Sequence, residues 1–158
     1  MDGPAYARHV ARHLEQHGCI AVSLEYEVPK ALWRVAGRPF IPFDVSFLSA
    51  RPLPHREYVE CKYHARHLVP EDEVAKFLAD LQTCAIPAKH GMIATNTGYA
   101  PLARDYARAA GIRLYTLSIQ ERASGSIFHC LVGALSPRKL PRAFVKITEG
   151  KPWHSRKR

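Results

Sequence analysis

The chain has 158 residues, of which 47% are hydrophobic, and a formal charge of +9. That is the length of one ordinary domain with enough apolar material for a core. No apolar run approaches a membrane span, MDGPAYARHV has no signal-peptide apolar segment, and the charge favours a polyanionic partner without separating DNA from RNA.

Cys19, Cys61, Cys84 and Cys130 are far apart and form no CxxC pair. The expectation is reduced, mostly buried thiols in a cytoplasmic protein, with no zinc site built from them.

In chain order, Tyr6 to His17 reads as a helix, with Tyr6, Val10 and Leu14 at helical spacing and Gly18 as its stop. His9, His13 and His17 form a row beside that stripe and read as a solvated face, since HxxxH without a glutamate is a weak metal signal. Cys19 to Leu24 reads as a short strand, and Glu25 to Ile41 as irregular, broken by Pro29, Gly37 and Pro39. Lys30, Arg34 and Arg38 with Trp33 fit a nucleic-acid contact and equally a surface loop anchored by one Trp.

Phe43 to Leu48 and Tyr58 to Tyr63 are apolar runs that read as two strands, joined by a loop rich in proline and arginine. The first holds Asp44 and the second Glu60 and Lys62. Side chains two apart on a strand share a face, so Glu60 and Lys62 point together and a neighbouring strand can bring Asp44 near them. Two carboxylates and an ammonium are the ingredients of metal-assisted phosphodiester hydrolysis: hard cations such as Mg²⁺ take carboxylate oxygens, and a lysine adds positive charge beside the phosphate. A bare Glu-x-Lys is common and alone reads as an exposed charge pair. The apolar setting and Asp44 raise it above that.

His64, Arg66 and His67 follow at the strand end and fit phosphate contacts or a plain loop. Pro70 opens a helix whose first-turn Glu71, Asp72 and Glu73 complement its dipole. Val74, Phe77, Leu78 and Leu81 form its buried face, with Lys76, Asp80 and Gln82 outward. A strand over Gly91 to Thr95 leads to Asn96, Thr97, Gly98 and Tyr99, where Thr95 and Thr97 fit either a phosphate contact or a loop-orienting role. A helix from Pro101 to about Ala110 and a strand over Ile112 to Leu117 follow. Alternating strands and helices from Val59 onward indicate parallel pairing, and the segment from Cys19 to Lys62 an antiparallel one. Ser126 to Leu131 and Ala143 to Thr148 fit two further strands, before a basic tail with Arg156, Lys157 and Arg158. The expected organisation is one domain: a core over 1–120, additional strands over 121–150 and the tail over 151–158.

The ordered series from the Tyr6 helix through Asp44, VECKYH and KHGMIATNTGYAPLARDYARAAGIRLYTL resembles the Mrr-like restriction endonuclease family of the PD-(D/E)xK superfamily. The carriers beyond Glu60 and Lys62 are Thr95, Gly98 and Tyr99, then Ala103, Tyr106, Ala107, Gly111, Ile112 and Leu114. The resemblance implies an α/β fold with a restriction-endonuclease-like mixed sheet flanked by helices, and a DNA endonuclease using Mg²⁺, with Mn²⁺ able to substitute. It implies Asp44, Glu60 and the Cys61 carbonyl as metal ligands and Lys62 as the catalytic lysine. The glutamate the family often carries on its first helix is Ala7 here. The chain has no room for the separate recognition domain of many members, so specificity falls to its loops, its tail, a second copy in a homodimer or a partner protein. The alternatives are an inactive nucleic-acid-binding module on the same fold and a structure-selective junction or flap nuclease.

Overall fold

The computed structural model describes residues 2–31, 39–49, 54–121 and 127–133, with backbone only over 118–121 and 127–133. The elements are α1 (Gly3–Gln16), β1 (Ile20–Pro29), β2 (Phe40–Leu48), β3 (Arg56–Lys62), α2 (Glu71–Thr83), β4 (Gly91–Thr95), α3 (Pro101–Ala110), β5 (Arg113–Glu121) and β6 (Ile127–Gly133). The six strands among the described residues form one sheet in sequence order. β1, β2 and β3 pair antiparallel, β3, β4 and β5 parallel, and β6 returns antiparallel on β5. This is the mixed sheet expected, and the two parallel links are the ones bridged by helices.

Local chemistry sets the helix ends. Asp2 caps α1 by accepting the Ala5 N–H at 2.8 Å, and Gly111 ends α3 in the left-handed conformation at φ 81°. Tyr6, Val10 and Leu14 of α1 pack on one sheet face against Val45, Phe47, Val59 and Met92. Val74, Phe77 and Leu81 of α2 and Ala103 and Ala107 of α3 pack on the other, against Phe43, Ile93 and Leu114. β3 therefore alternates in meaning: Glu57, Val59 and Cys61 are buried, while Tyr58, Glu60 and Lys62 are half-buried.

Two expectations need correction. β1 runs on through Glu25 to Pro29, where a break was expected, because β2 begins early and pairs as far as Pro29 with Phe40. A proline is tolerated there at the end of an edge strand, where its missing N–H costs no ladder bond. His9 and His13 are buried, not solvated, because the contact stripe of α1 is wider than its apolar residues. Cys19, Cys61 and Cys84 are buried free thiols. No helix among the described residues is long and apolar enough to cross a membrane. The strand expected near Ser126 is β6. Ala143 to Thr148 and the tail lie outside the described residues.

Gly91 lies directly against α2: a Cβ there would overlap Leu81 Cδ1 and stand 3.0 Å from Phe77 Cε1. Gly91→Ala should lower the unfolding free energy by about 1–3 kcal/mol through overpacking, read as a lower urea midpoint at unchanged m-value.

Candidate active site

β2 and β3 pair from Leu48 with Arg56 up to Val45 with Val59, and there the ladder stops. In the fork beyond it, Asp44 Oδ2 accepts the Cys61 N–H at 2.7 Å. The carboxylate thus replaces the strand partner that this donor loses. Phe43, one residue earlier, packs on the α2 side against Phe77, with ring centroids 6.1 Å apart.

On that same side Glu60 Oε1 lies 2.9 Å from Lys62 Nζ. Lys62 Nζ is also 3.7 Å from Glu73 Oε2 in the first turn of α2, and Glu73 Oε1 is 3.4 Å from His64 Nε2. Among the described residues, buried Glu73 Oε2 and His64 Nε2 have no hydrogen-bond partner.

The electrostatics share one pattern. Burial pushes the Asp44 carboxyl above its usual range, against the Cys61 N–H and Lys62, and Glu25 pushes it further. Burial and then Asp44 push Glu60 up, against Lys62. Burial pulls Lys62 down, but Glu60, Glu73 and Asp44 outweigh it and hold its pKa above that of an ordinary lysine. Lys62 is therefore a firm ammonium, and even so it leaves both carboxylates short of positive charge.

A cavity of ≈ 200 Å³ opens at the fork, lined by Gly3, Pro4, Ala7 and Arg8 of α1, Leu24 and Glu25 of β1, Asp44 and Cys61. Ala7 contributes only a methyl group. Glu25 stands opposite Asp44, between the pairs Leu24–Val45 and Tyr26–Phe43, at φ 48°. Like charges opposite each other are unfavourable unless a cation joins them. A hard dication suits an all-oxygen donor set such as Asp44, Glu60, Glu25 and Glu73 could supply.

The loop after β3 is tied down beside the fork. Asn96 Nδ2 donates to His64 O at 2.7 Å and its Oδ1 accepts the His64 N–H at 2.8 Å. Thr97 Oγ1 donates to His67 O at 2.9 Å.

Of the residues singled out from sequence, Asp44, Glu60, Cys61 and Lys62 converge. His64 joins through Glu73, and Arg66 is exposed on the adjoining loop. Thr95 is corrected: it is fully buried, and its Oγ1 accepts the Thr97 N–H at 3.4 Å, so it holds the turn and does not face a phosphate. Lys30 lies near Asp80, whose carboxyl burial pushes up against the opposing charges of Lys76, Lys62 and Lys30. Arg34, Arg38, Arg156, Lys157 and Arg158 lie outside the described residues.

Glu73, Glu25, Asn96, Arg8 and Asp80, whose charge adds to the raising of Glu60, were missed. Glu73 and Asp80 read as a dipole acid and an outward residue, yet they share the i, i+4, i+7 flank of Phe77, which was the available signal. For Glu25 the alternation of β1 was the signal, hidden by the expected break.

The sequence profile of the Mrr_cat restriction endonuclease family matches residues 1–118, and the chain belongs to that family. Among solved structures it is similar to a protein of unknown function, AF1548, with a TM-score of 0.58 and 25% identity over 73% of this chain and 58% of that one. It is also similar to Pyrococcus furiosus SfsA in complex with Ca²⁺, with a TM-score of 0.52 and 15% identity over 81% of this chain and 62% of that one. The chain thus spans 58% and 62% of the lengths of these two proteins. No curated protein matches it significantly.

Two outcomes follow from the geometry. Asp44 and Glu60 hold their protons more tightly in the folded than in the unfolded chain. Stability without metal should therefore fall as pH rises from the ordinary carboxylate range through the raised folded values. Asp44→Asn should be the more stable protein at neutral pH in EDTA and lose that advantage in acid, as urea titrations at several pH values would show. Asn96→Ala should cost about 1–3 kcal/mol of stability, because it strands the His64 backbone groups, and thermal unfolding would measure this.

Proposed function

We propose that the chain is a divalent-metal-dependent endonuclease that hydrolyses phosphodiester bonds of DNA. The observation that carries this reading is the fork: two carboxylates both lifted above their usual range, and one ammonium held between Glu60 and Glu73.

Asp44 and Glu60 would hold Mg²⁺, or Mn²⁺ in its place, with the Cys61 carbonyl as a further oxygen ligand. The cation supplies charge that polarises the phosphate and acidifies water. Glu25 supplies the carboxylate that Ala7 does not, from β1 in place of α1. Lys62 stays protonated, so it acts as a fixed positive charge toward the phosphate and not as a base. The water oxygen gives up a proton to solvent and joins phosphorus, the bond to the leaving sugar oxygen breaks, and that oxygen takes a proton from solvent. Arg8 at the cavity rim, with His64 and Arg66 after β3, would hold the backbone on either side. Lys30, Arg34, Arg38 and the tail cations Arg156, Lys157 and Arg158 add affinity that weakens steeply with salt. A second copy or a partner protein would supply base specificity.

Ala7 favours one other reading, a binding module on this fold that has lost turnover. It expects nucleic-acid binding indifferent to Mg²⁺ and to Glu60.

The test is cleavage of plasmid, branched, single-stranded DNA and RNA with Mg²⁺, Mn²⁺ or EDTA. Asp44→Ala, Glu60→Ala and Lys62→Ala should each lower the rate by at least about 10²-fold while salt-dependent binding persists. Metal-dependent cutting by the triple variant would refute the proposal. Glu25→Gln should slow cleavage less than Glu60→Ala, and the loss should shrink at higher metal concentration.

A further inference from the structure

A second cluster stands on the opposite sheet face, about 10 Å along β3 from Glu60 at the strand rise of roughly 3.3 Å per residue. Its centre is Glu57, 5% exposed. His55 precedes it by two residues and so shares its face. β3 and β4 run parallel with Tyr58 beside Gly91, which sets His90 beside Glu57 at the mouth of that pair. Topology alone thus gathers two imidazoles around one buried carboxylate.

The distances are those of a ligand set. His55 Nε2 lies 2.9 Å from Glu57 Oε1, His90 Nδ1 lies 3.7 Å from Glu57 Oε2, and the three donor atoms lie within 4.8 Å of one another. Donors on a tetrahedral zinc ion, at bonds of about 2.0–2.2 Å, are roughly 3.3–3.6 Å apart. Arg113 Nη2 also contacts Glu57 Oε2. An ion pair with Arg113 accounts for the buried Glu57, and a hydrogen bond accounts for His55. Neither accounts for His90 Nδ1, which is buried without a hydrogen-bond partner.

We propose that His55, Glu57 and His90 form a second metal site, separate from the fork and selective for a transition ion of the Zn²⁺ type. Two nitrogens and one oxygen suit Zn²⁺, Co²⁺ or Ni²⁺ and disfavour Mg²⁺, the reverse of the carboxylate fork. Arg113 holds the same carboxylate, as outer partners do, and its charge keeps affinity moderate. The bound ion clasps the segment before β3 to the turn before β4, a structural brace at the start of the parallel pair. The site stands whether or not the fork cleaves DNA.

The test uses the untagged, chelator-stripped chain. Zn²⁺ is titrated against a chromophoric chelator, Co²⁺ is followed by its visible spectrum, and thermal unfolding is run with Zn²⁺ and with EDTA. Wild type and Asp44→Asn should both bind one equivalent, give a tetrahedral Co²⁺ spectrum and unfold at higher temperature with Zn²⁺. His55→Gln and His90→Gln should each bind at least about tenfold more weakly and lose the thermal shift, while His17→Gln, a control at the C-terminal cap of α1, should lose neither. The EDTA melts report whether the variants fold. Equal affinity in the folded His55→Gln, His90→Gln double variant would overturn the proposal. So would a wild-type chain with no tetrahedral Co²⁺ spectrum, a result that needs no variant.

Discussion

The hydrogen bond from the Cys61 N–H to Asp44 Oδ2 marks where this sheet stops being only a scaffold. Up to Val45 and Val59, β2 and β3 satisfy each other. Past that point they part, and a side chain takes over the backbone's bond. The opening lets α1 and β1 border one side of the fork while α2 borders the other. Strands that stayed paired one residue further would leave no cavity there, and Asp44 would be one more residue of a closed ladder.

The charges placed around that opening make little sense as stabilisers. Glu60, Glu73 and Asp44 surround one ammonium, Glu25 adds its charge beside Asp44, and burial lifts both central carboxyls, with Glu25 adding to it at Asp44 and Asp44 adding to it at Glu60. A fold tuned only for stability would not keep them. A dication held there, as proposed, would restore the balance, so the stability cost and the proposed chemistry would have one origin. The cluster around Glu57 differs: its carboxylate already has Arg113, and its other donors are nitrogens. Two sites at the two ends of β3 would thus sort cations by ligand hardness.

Most of the fold was legible in the sequence because its signals are local. Helical spacing of Tyr6, Val10 and Leu14, the prolines opening α2 and α3, and Gly18 and Gly111 closing helices all act within a few residues. Asp44, Glu60 and Lys62 were legible because strand alternation and adjacency suffice to bring them together. Glu73 and Glu25 were not, because their roles depend on how α2 docks and on β1 continuing past an apparent break. Thr95 was misplaced for the same reason: a hydroxyl at a strand end looks available until β3 and β5 close on both sides of it. The His55, Glu57 and His90 group joins residues 35 positions apart through the parallel register of β3 and β4, and no local pattern carries that.

The measurement that bears most directly on the central claim is anomalous diffraction from a crystal of the chain soaked in Mn²⁺. The account predicts a manganese peak in the fork, within coordination distance of Asp44 and Glu60. A crystal with manganese bound elsewhere and none between those two carboxylates would contradict it.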